Sequence, residues 1–411
     1  MQITSPGPPA RQLRDAIIFL PGLSTLGHRS QAHVMEVLCS ELDHAAKTAT
    51  AHFAVEPGSD KSGEATMVET IWRMDDDDRS PVADVYWLDY GAVQRAEATP
   101  ARPFARVLTL GLATLAGVLI WLGACVRQRA WFRRNQCGKP GTQMMQLLIC
   151  LAILLGLVAY FGAAVIALVQ LILTRYTSEA GASAPMITWP QVVVIVGAVL
   201  GTLTPGLRRQ WFTAAEQSLK MMRYLWVAGP RNSLRGEVLA LIEHASERDE
   251  IGRISIVGFS FGSLVAIDTL FPASKAPTAR MERVTSLATI GCPFDLVRML
   301  QPHYYENRFA PDGQDRPWIN IYDPVDVLGS NFRDDGKEGS ASKGVTIRGT
   351  GAVRQPTGNI PWNSGQPLTL ISGLMLASVR AHAQYWGPNP RAETALGLLA
   401  AELFCGTPAL R

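Results

Sequence analysis

The chain has 411 residues, 47% of them hydrophobic and 18% charged, and a formal net charge of +3. A disordered chain is excluded, and there is length enough for a large core and for one to three domains. The charge is weak and no element interleaves basic residues with aromatics, which argues against a nucleic-acid groove. The six cysteines, Cys39, Cys125, Cys137, Cys150, Cys292 and Cys405, are scattered without a C-x-x-C pair, so free thiols in a reducing compartment are expected. The opening MQITSPGPPARQLRD puts prolines and arginines where a secretory signal needs an apolar core, so no export signal is expected.

In chain order, the pattern predicts a strand at Ala16 to Leu20, helices at Gln31 to Lys47 and Ala65 to Arg73, and a strand at Val82 to Leu88. The acidic run Asp75 to Asp78 has no nearby ligand spacing that would make it a metal site, and it is expected to be a solvated loop. Three apolar runs follow. Val107 to Val126 is uncharged and about as long as a helix that crosses a hydrocarbon core. Leu147 to Leu173 is longer and equally free of charge, whereas residues 187–207 carry two prolines and suit an interfacial or re-entrant segment as well as a span. Beyond them a helix is predicted at Ser233 to Ser246, then an interior strand in the first part of Arg253 to Phe271, and strands around Val284 to Ile290 and at Trp318 to Tyr322. Strands alternating with helices predict an α/β domain with a mostly parallel sheet covered on both faces. Its sequence is divided into 1–101 and 210–411 by an inserted membrane region, 102–209.

The chemistry concentrates in RISIVGFSFGSLVAIDTLF, Arg253 to Phe271. Gly258, Ser260 and Gly262 form G-x-S-x-G between a β-branched strand and an apolar helix, the context in which a sharp turn lifts a serine hydroxyl out of a sheet. A serine needs a base to take its proton, and the base needs an acid to orient it; with this elbow the expected chain order is Ser, then Asp or Glu, then His. Of the seven histidines only His303 and His382 follow the serine, and His382 is the one near the C-terminal end, after a loop-rich stretch with Pro356, Pro361 and Pro367. For the acid, WINIYDPVDVLG offers Asp323 and Asp326 at a strand end.

At these residues the chain resembles the α/β-hydrolase superfamily, in particular its lipase and serine-esterase branches, including the DDHD-type phospholipases. The resemblance implies Asp326 as the acid, because N-I-Y-D-P-V-D-V-L is similar to the segment that carries the triad aspartate there. Asp323 is the alternative acid, or the cap of a turn. TIGCPFD, Thr289 to Asp295, is similar to a strand-end G-S-P-L segment of the same enzymes, with Cys292 in place of the serine. By the same resemblance, the backbone N–H groups of Phe261 and of Leu23, in the early Leu20-Pro21-Gly22-Leu23 loop, would form the oxyanion hole. The inserted region departs from the family pattern, since lids there usually follow the elbow.

If residues on both sides of the apolar block build one sheet, both lie on one side of the membrane and the number of full spans is even. A hairpin of 107–126 and 147–173 is the simplest arrangement. Arg127, Arg129, Arg133, Arg134 and Lys139 in its loop are balanced by Arg95, Arg102, Arg106, Arg208 and Arg209 on the other side, so the positive-inside rule leaves the orientation tied. The lack of an export signal favours a catalytic domain on the cytoplasmic side. The expectation is a membrane-associated serine hydrolase acting on esters of apolar or lipid substrates, with Ser260, His382 and Asp326 as triad, the bilayer as partner, and no metal or organic cofactor. The rival readings are a non-catalytic scaffold of the same fold that recruits partners to the membrane, and a small transport component. The absence of intramembrane charge counts against the second.

Overall fold

The computed structural model describes residues 13–23, 28–45, 52–57, 66–75, 78–88, 90, 119, 123, 217, 220–274, 278–310, 316–326, 328–333, 339–363, 381–382, 384–386 and 394–404. In chain order the elements are β1 (Arg14–Leu20), α1 (His28–Ala45), β2 (His52–Pro57), β3 (Thr66–Asp75), β4 (Asp78–Leu88), α2 (Ala228–Glu247), β5 (Ile251–Phe259), α3 (Phe261–Leu270), β6 (Val284–Ile290) and α4 (Phe294–Leu300). They continue with β7 (Trp318–Tyr322), β8 (Val345–Thr346), β9 (Val353–Arg354), β10 (Gly358–Pro361) and α5 (Ala395–Phe404). Eight strands form one sheet in the order β10-β7-β6-β5-β1-β4-β3-β2. The strands from β10 to β4 run parallel, and β3 and β2 close one edge as antiparallel partners.

The register aligns the carboxyl ends of the central strands: Leu20 pairs with Gly258, Phe259 with Ile290, and Ile290 with Ile321. Four chain segments therefore emerge side by side along one edge, after β1, β5, β6 and β7. From β1 the chain moves toward β4, whereas from β5 it moves the opposite way to β6, β7 and β10. That reversal leaves a crevice between the ends of β1 and β5, the place where open parallel sheets bind their ligands.

Each face of the sheet is covered. On one, Val34, Met35, Leu38 and Leu42 of α1 and Leu396, Leu399 and Leu403 of α5 share a core with Phe19, Trp87, Val257 and Phe259. The Thr394 hydroxyl, at the entry to α5, donates to Glu41 of α1 at 2.7 Å. On the other face lies α3, all ten residues of which are buried. Beside it α2 buries Leu234, Val238, Leu241, Ile242 and Ala245, and Tyr86 meets His244 edge-on. At the amino ends of the strands, buried Asp84 of β4 takes Arg14 of β1 at 3.0 Å and Arg248 at 3.4 Å, tying together the two stretches of chain that flank the apolar block.

Residues 66–75 are a strand, correcting the helix expected over Ala65 to Arg73. A bulge between Ile71 and Trp72 shifts the alternation, and Val68, Thr70 and Ile71 are all buried, so the apolar residues fall at spacings that imitate a helix. Asp75 and Asp78 of the acidic run are strand ends paired across the β3–β4 hairpin. The stretch expected to be loop-rich contains β10, paired with β7.

The chain divides into two compact units. One comprises Met1–Ala96, Asn232–Arg298 and His303–Arg411 and holds the whole sheet; the other comprises Glu97–Arg231 and Met299–Pro302. In the second, residues 220–226 are helical, and Gln301 donates to the Leu225 carbonyl at 3.1 Å. The three apolar runs lie outside the described residues except for Leu119 and Gly123, both helical. Among the described residues no helix is long and apolar enough to cross a membrane.

Candidate active site

Ser260 stands between β5 and α3 with φ 54° and ψ −120°, a conformation that L-residues avoid at a cost of about 1–3 kcal/mol. The strain is held by burial on either side. Phe261, Leu264, Val265, Ile267 and Leu270 of α3 are nearly inaccessible, and at about 2 kcal/mol per side chain their burial is worth on the order of 10 kcal/mol. The Ser260 amide donates to the Ile290 carbonyl at 2.8 Å, and the Ser263 hydroxyl to the Gly258 carbonyl at 2.7 Å, fixing both limbs of the turn.

Both motif glycines are required by space. A Cβ on Gly262 would stand 1.9 Å from the Leu20 carbonyl oxygen, and one on Gly258 would stand 2.6 Å from Ser263 Cα. The missing side chains let α3 press against the end of β1. A Cβ on Gly22 would in turn lie 3.3 Å from Ser260 Cβ, so the β1 loop and the elbow are in contact across the crevice.

Although Ser260 occupies the N-cap position of α3, its side chain makes no capping bond. Its hydroxyl instead lies 2.7 Å from His382 Nε2. His382 Nδ1 lies 2.7 Å from Asp326 Oδ2. A carboxylate can only accept, so Nδ1 carries the proton and the Nε2 lone pair faces the serine. The three residues come from separate stretches, the β5 elbow, the loop after β7 and a short helical turn at 381–382, and meet at the aligned strand ends. Asp326 is completely buried and His382 nearly so, at 12% side-chain exposure.

The imidazole is held by its surroundings. It stacks on Phe259 with ring centroids 5.2 Å apart, and Phe259 packs on Trp386 at 4.8 Å. Asp326 Oδ1 accepts from the Leu328 amide at 2.8 Å. The other oxygen takes a second donor, the Tyr385 hydroxyl at 2.9 Å, which itself accepts from the Asp323 amide at 2.8 Å. Burial, reinforced by the neighbouring Asp326, pushes the Tyr385 phenol well above its ordinary range, so it remains a proton donor. Asp323 makes no bond to His382; its carboxylate accepts from the Val325 amide at 2.8 Å and caps the turn begun by Asp-Pro. Of the two aspartates, Asp326 is the one brought to the histidine.

Phe261 is the first residue of α3, so its amide belongs to the first turn of the helix, next to Ser260. Leu23 follows Gly22 on the opposite lip of the crevice. Cys292 is fully buried, and burial drives its thiol far above the usual range, which leaves it no nucleophilic role.

No family model, curated protein or solved structure matches this chain. The site therefore has to be argued from its own geometry. Sequence reasoning missed three residues that shape it. Tyr385 lies three residues beyond His382. Gly291, with φ 55°, leaves room for Tyr385 and His382, since a Cβ there would come within 2.9 and 3.1 Å of their rings. Gly329 leaves room for the acid, 2.7 Å from where its Cβ would be. The available signal was the spacing H-x-x-Y and the glycine directly after β6.

Proposed function

We propose that this protein is a membrane-associated serine hydrolase of the α/β-hydrolase type that cleaves carboxylic esters of apolar or lipid substrates. The observation that carries the reading is the unbroken relay from Ser260 through His382 to buried Asp326, with both links 2.7 Å long. A turn needed only for folding has no use for a strained serine whose hydroxyl ignores its own helix and faces an oriented imidazole.

In the proposed cycle, Ser260 Oγ attacks the ester carbonyl carbon as His382 Nε2 takes its proton. Asp326 holds the imidazole and stabilises the imidazolium that forms. The carbonyl oxygen, now an oxyanion, is received by the amides of Phe261 and Leu23, and each such donor commonly contributes a few kcal/mol to the transition state. His382 then protonates the departing alkoxide, leaving an acyl group on Ser260. Water, deprotonated by the same imidazole, attacks the acyl carbon and releases the acid. The apolar runs before the elbow support a substrate presented at a bilayer.

Full-length protein in detergent, treated with a fluorophosphonate, should be labelled at one serine, and Ser260→Ala should abolish the labelling. Equal labelling of wild type and variant would remove the nucleophile. No labelling of either would favour the scaffold reading.

A further inference from the structure

A rung of polar side chains crosses one half of the sheet, just short of the strand ends that carry the reactive groups. Gly258 of β5, Thr289 of β6, Asn320 of β7 and Asn359 of β10 are paired in register. Ile319 and Ile321, on either side of Asn320, belong to the core shared with α1 and α5, so the alternation of the strand turns Asn320 to the opposite face. There it is completely buried.

A buried amide has to find partners for its polar atoms within the protein. Asn320 Oδ1 accepts from the Thr289 hydroxyl at 3.0 Å, and that hydroxyl accepts in turn from Trp318 Nε1 at 3.1 Å. Asn320 Nδ2 donates to Asn359 Oδ1 at 3.0 Å and to the Ser330 carbonyl at 2.9 Å. Asn359 Nδ2 donates onward to the carbonyls of Asn331 and Gly339, both at 2.8 Å. A carbonyl can only accept, so both side-chain amides are fixed in orientation and the relay runs one way, from Trp318 to the loop after β7.

That loop carries the acid. Ser330 stands four residues after Asp326 and is held at three atoms: its carbonyl by Asn320, its amide by the Cys292 carbonyl at 2.8 Å, and its hydroxyl by the Asp295 amide at 2.7 Å. Two residues further on, Phe332 is fully buried with φ 51°, a conformation that a bulky residue keeps only where its surroundings impose it. Apolar side chains along the whole rung would stabilise the sheet about as well. What a satisfied polar network adds is a single fixed geometry.

We propose that Asn320 is a positioning residue for the triad: through the Ser330 carbonyl, and with Asn359 on the Asn331 carbonyl, it fixes the far end of the acid loop and so the aim of Asp326 Oδ2 at His382 Nδ1. This role rests on the hydrolase reading, and Asn320 itself touches no reacting atom.

The test is a double-mutant cycle on full-length protein in detergent, read as the rate of fluorophosphonate labelling, with melting temperatures recorded to establish folding. Asn320→Leu keeps the size of the side chain and removes both donors. It should slow labelling about tenfold or more, since displacement of a reacting group by about 1 Å can cost on the order of 100-fold. For p-nitrophenyl butyrate the loss should fall on kcat, with KM within about twofold of wild type. In the Asp326→Asn background the same substitution should cost less than about threefold, because two residues acting through one interaction are not additive. Equal losses in the two backgrounds would reveal a general loss of packing and overturn the proposal, as would a folded Asn320→Leu protein that labels like wild type. Should Asn320→Leu not fold, Asn359→Ala, at a half-buried position on the edge strand, carries the same cycle: it should slow labelling about threefold or more only where Asp326 is present, and an additive loss would overturn the proposal. Wild-type protein that does not label at all would remove the hydrolase reading, and with it any acid to position, a result distinct from every outcome of the cycle.

Discussion

Replacing Gly262 by alanine tests whether close approach of α3 to β1 holds the elbow. The new Cβ would stand 1.9 Å from the Leu20 carbonyl oxygen, 2.5 Å from its carbon and 2.6 Å from the Pro21 carbonyl oxygen. All three are backbone atoms, so no rotamer change relieves the clash. Restoring ordinary contact requires roughly 1.5 Å of separation between helix and strand, and overpacking of this kind costs about 1–3 kcal/mol or more. Displacement of a reacting group by about 1 Å can cost on the order of 100-fold in rate. Gly258→Ala, at 2.6 Å from Ser263 Cα, should do less harm, and Gly22→Ala, whose nearest neighbours are side-chain atoms at 3.3 and 3.4 Å, the least. We expect the fluorophosphonate labelling rate and melting temperature to fall in the order Gly22, Gly258, Gly262, with Gly262→Ala losing several degrees and about two powers of ten in rate. A Gly262→Ala protein that melts and labels like wild type would refute the packing argument.

Tyr385→Phe keeps the ring against Trp362 and Phe259 but leaves the buried Asp323 amide without its acceptor and Asp326 one donor short. Hydrolysis of p-nitrophenyl butyrate should fall about tenfold, with a stability loss of about 1–3 kcal/mol in urea unfolding; unchanged turnover would relieve the tyrosine of any positioning role. Asp326→Asn should lower turnover by about four powers of ten, whereas Asp323→Asn, whose amide oxygen can still cap the turn, should stay near wild type. The reverse ranking would move the acid to Asp323. In sealed vesicles, protease accessibility should place Lys61 and Lys337 on the same face, and extraction should require detergent; sites on opposite faces would be incompatible with one sheet built from both segments.

The sequence was most legible where local pattern and tertiary environment agree. β6 and β7 have the expected bounds, and β1 and β4 differ from theirs only at the amino ends, because these strands bury most of their residues on both faces. The serine and histidine followed from motif and chain order, which the topology obeys. Choosing between Asp323 and Asp326 depended on resemblance, since both follow the same strand and only the turn capped by Asp323 aims the later carboxylate inward. β3 was misread because a bulge broke its alternation, and β2, with HFAVEP mostly half-buried or exposed, carries little period-2 signal. The role of Tyr385 is invisible without coordinates: a phenol is recognised as a positioning group only by what it touches.

The central place of β1 sets the order in which this protein can be made. Arg14, at its start, is bonded to Glu250, 236 residues later, and β5 pairs along the whole strand. At typical translation speeds of about 5–20 residues per second, β5 follows β1 after roughly 10–50 s. During that interval β1 to β4 can pair among themselves, but the side of β1 destined for β5 presents a row of unsatisfied backbone groups to the cell. Over the same seconds the most apolar stretch of the chain leaves the ribosome. The nascent protein therefore exposes an open sheet edge and its longest apolar runs together, and the two must be kept apart until β5 arrives and closes the sheet.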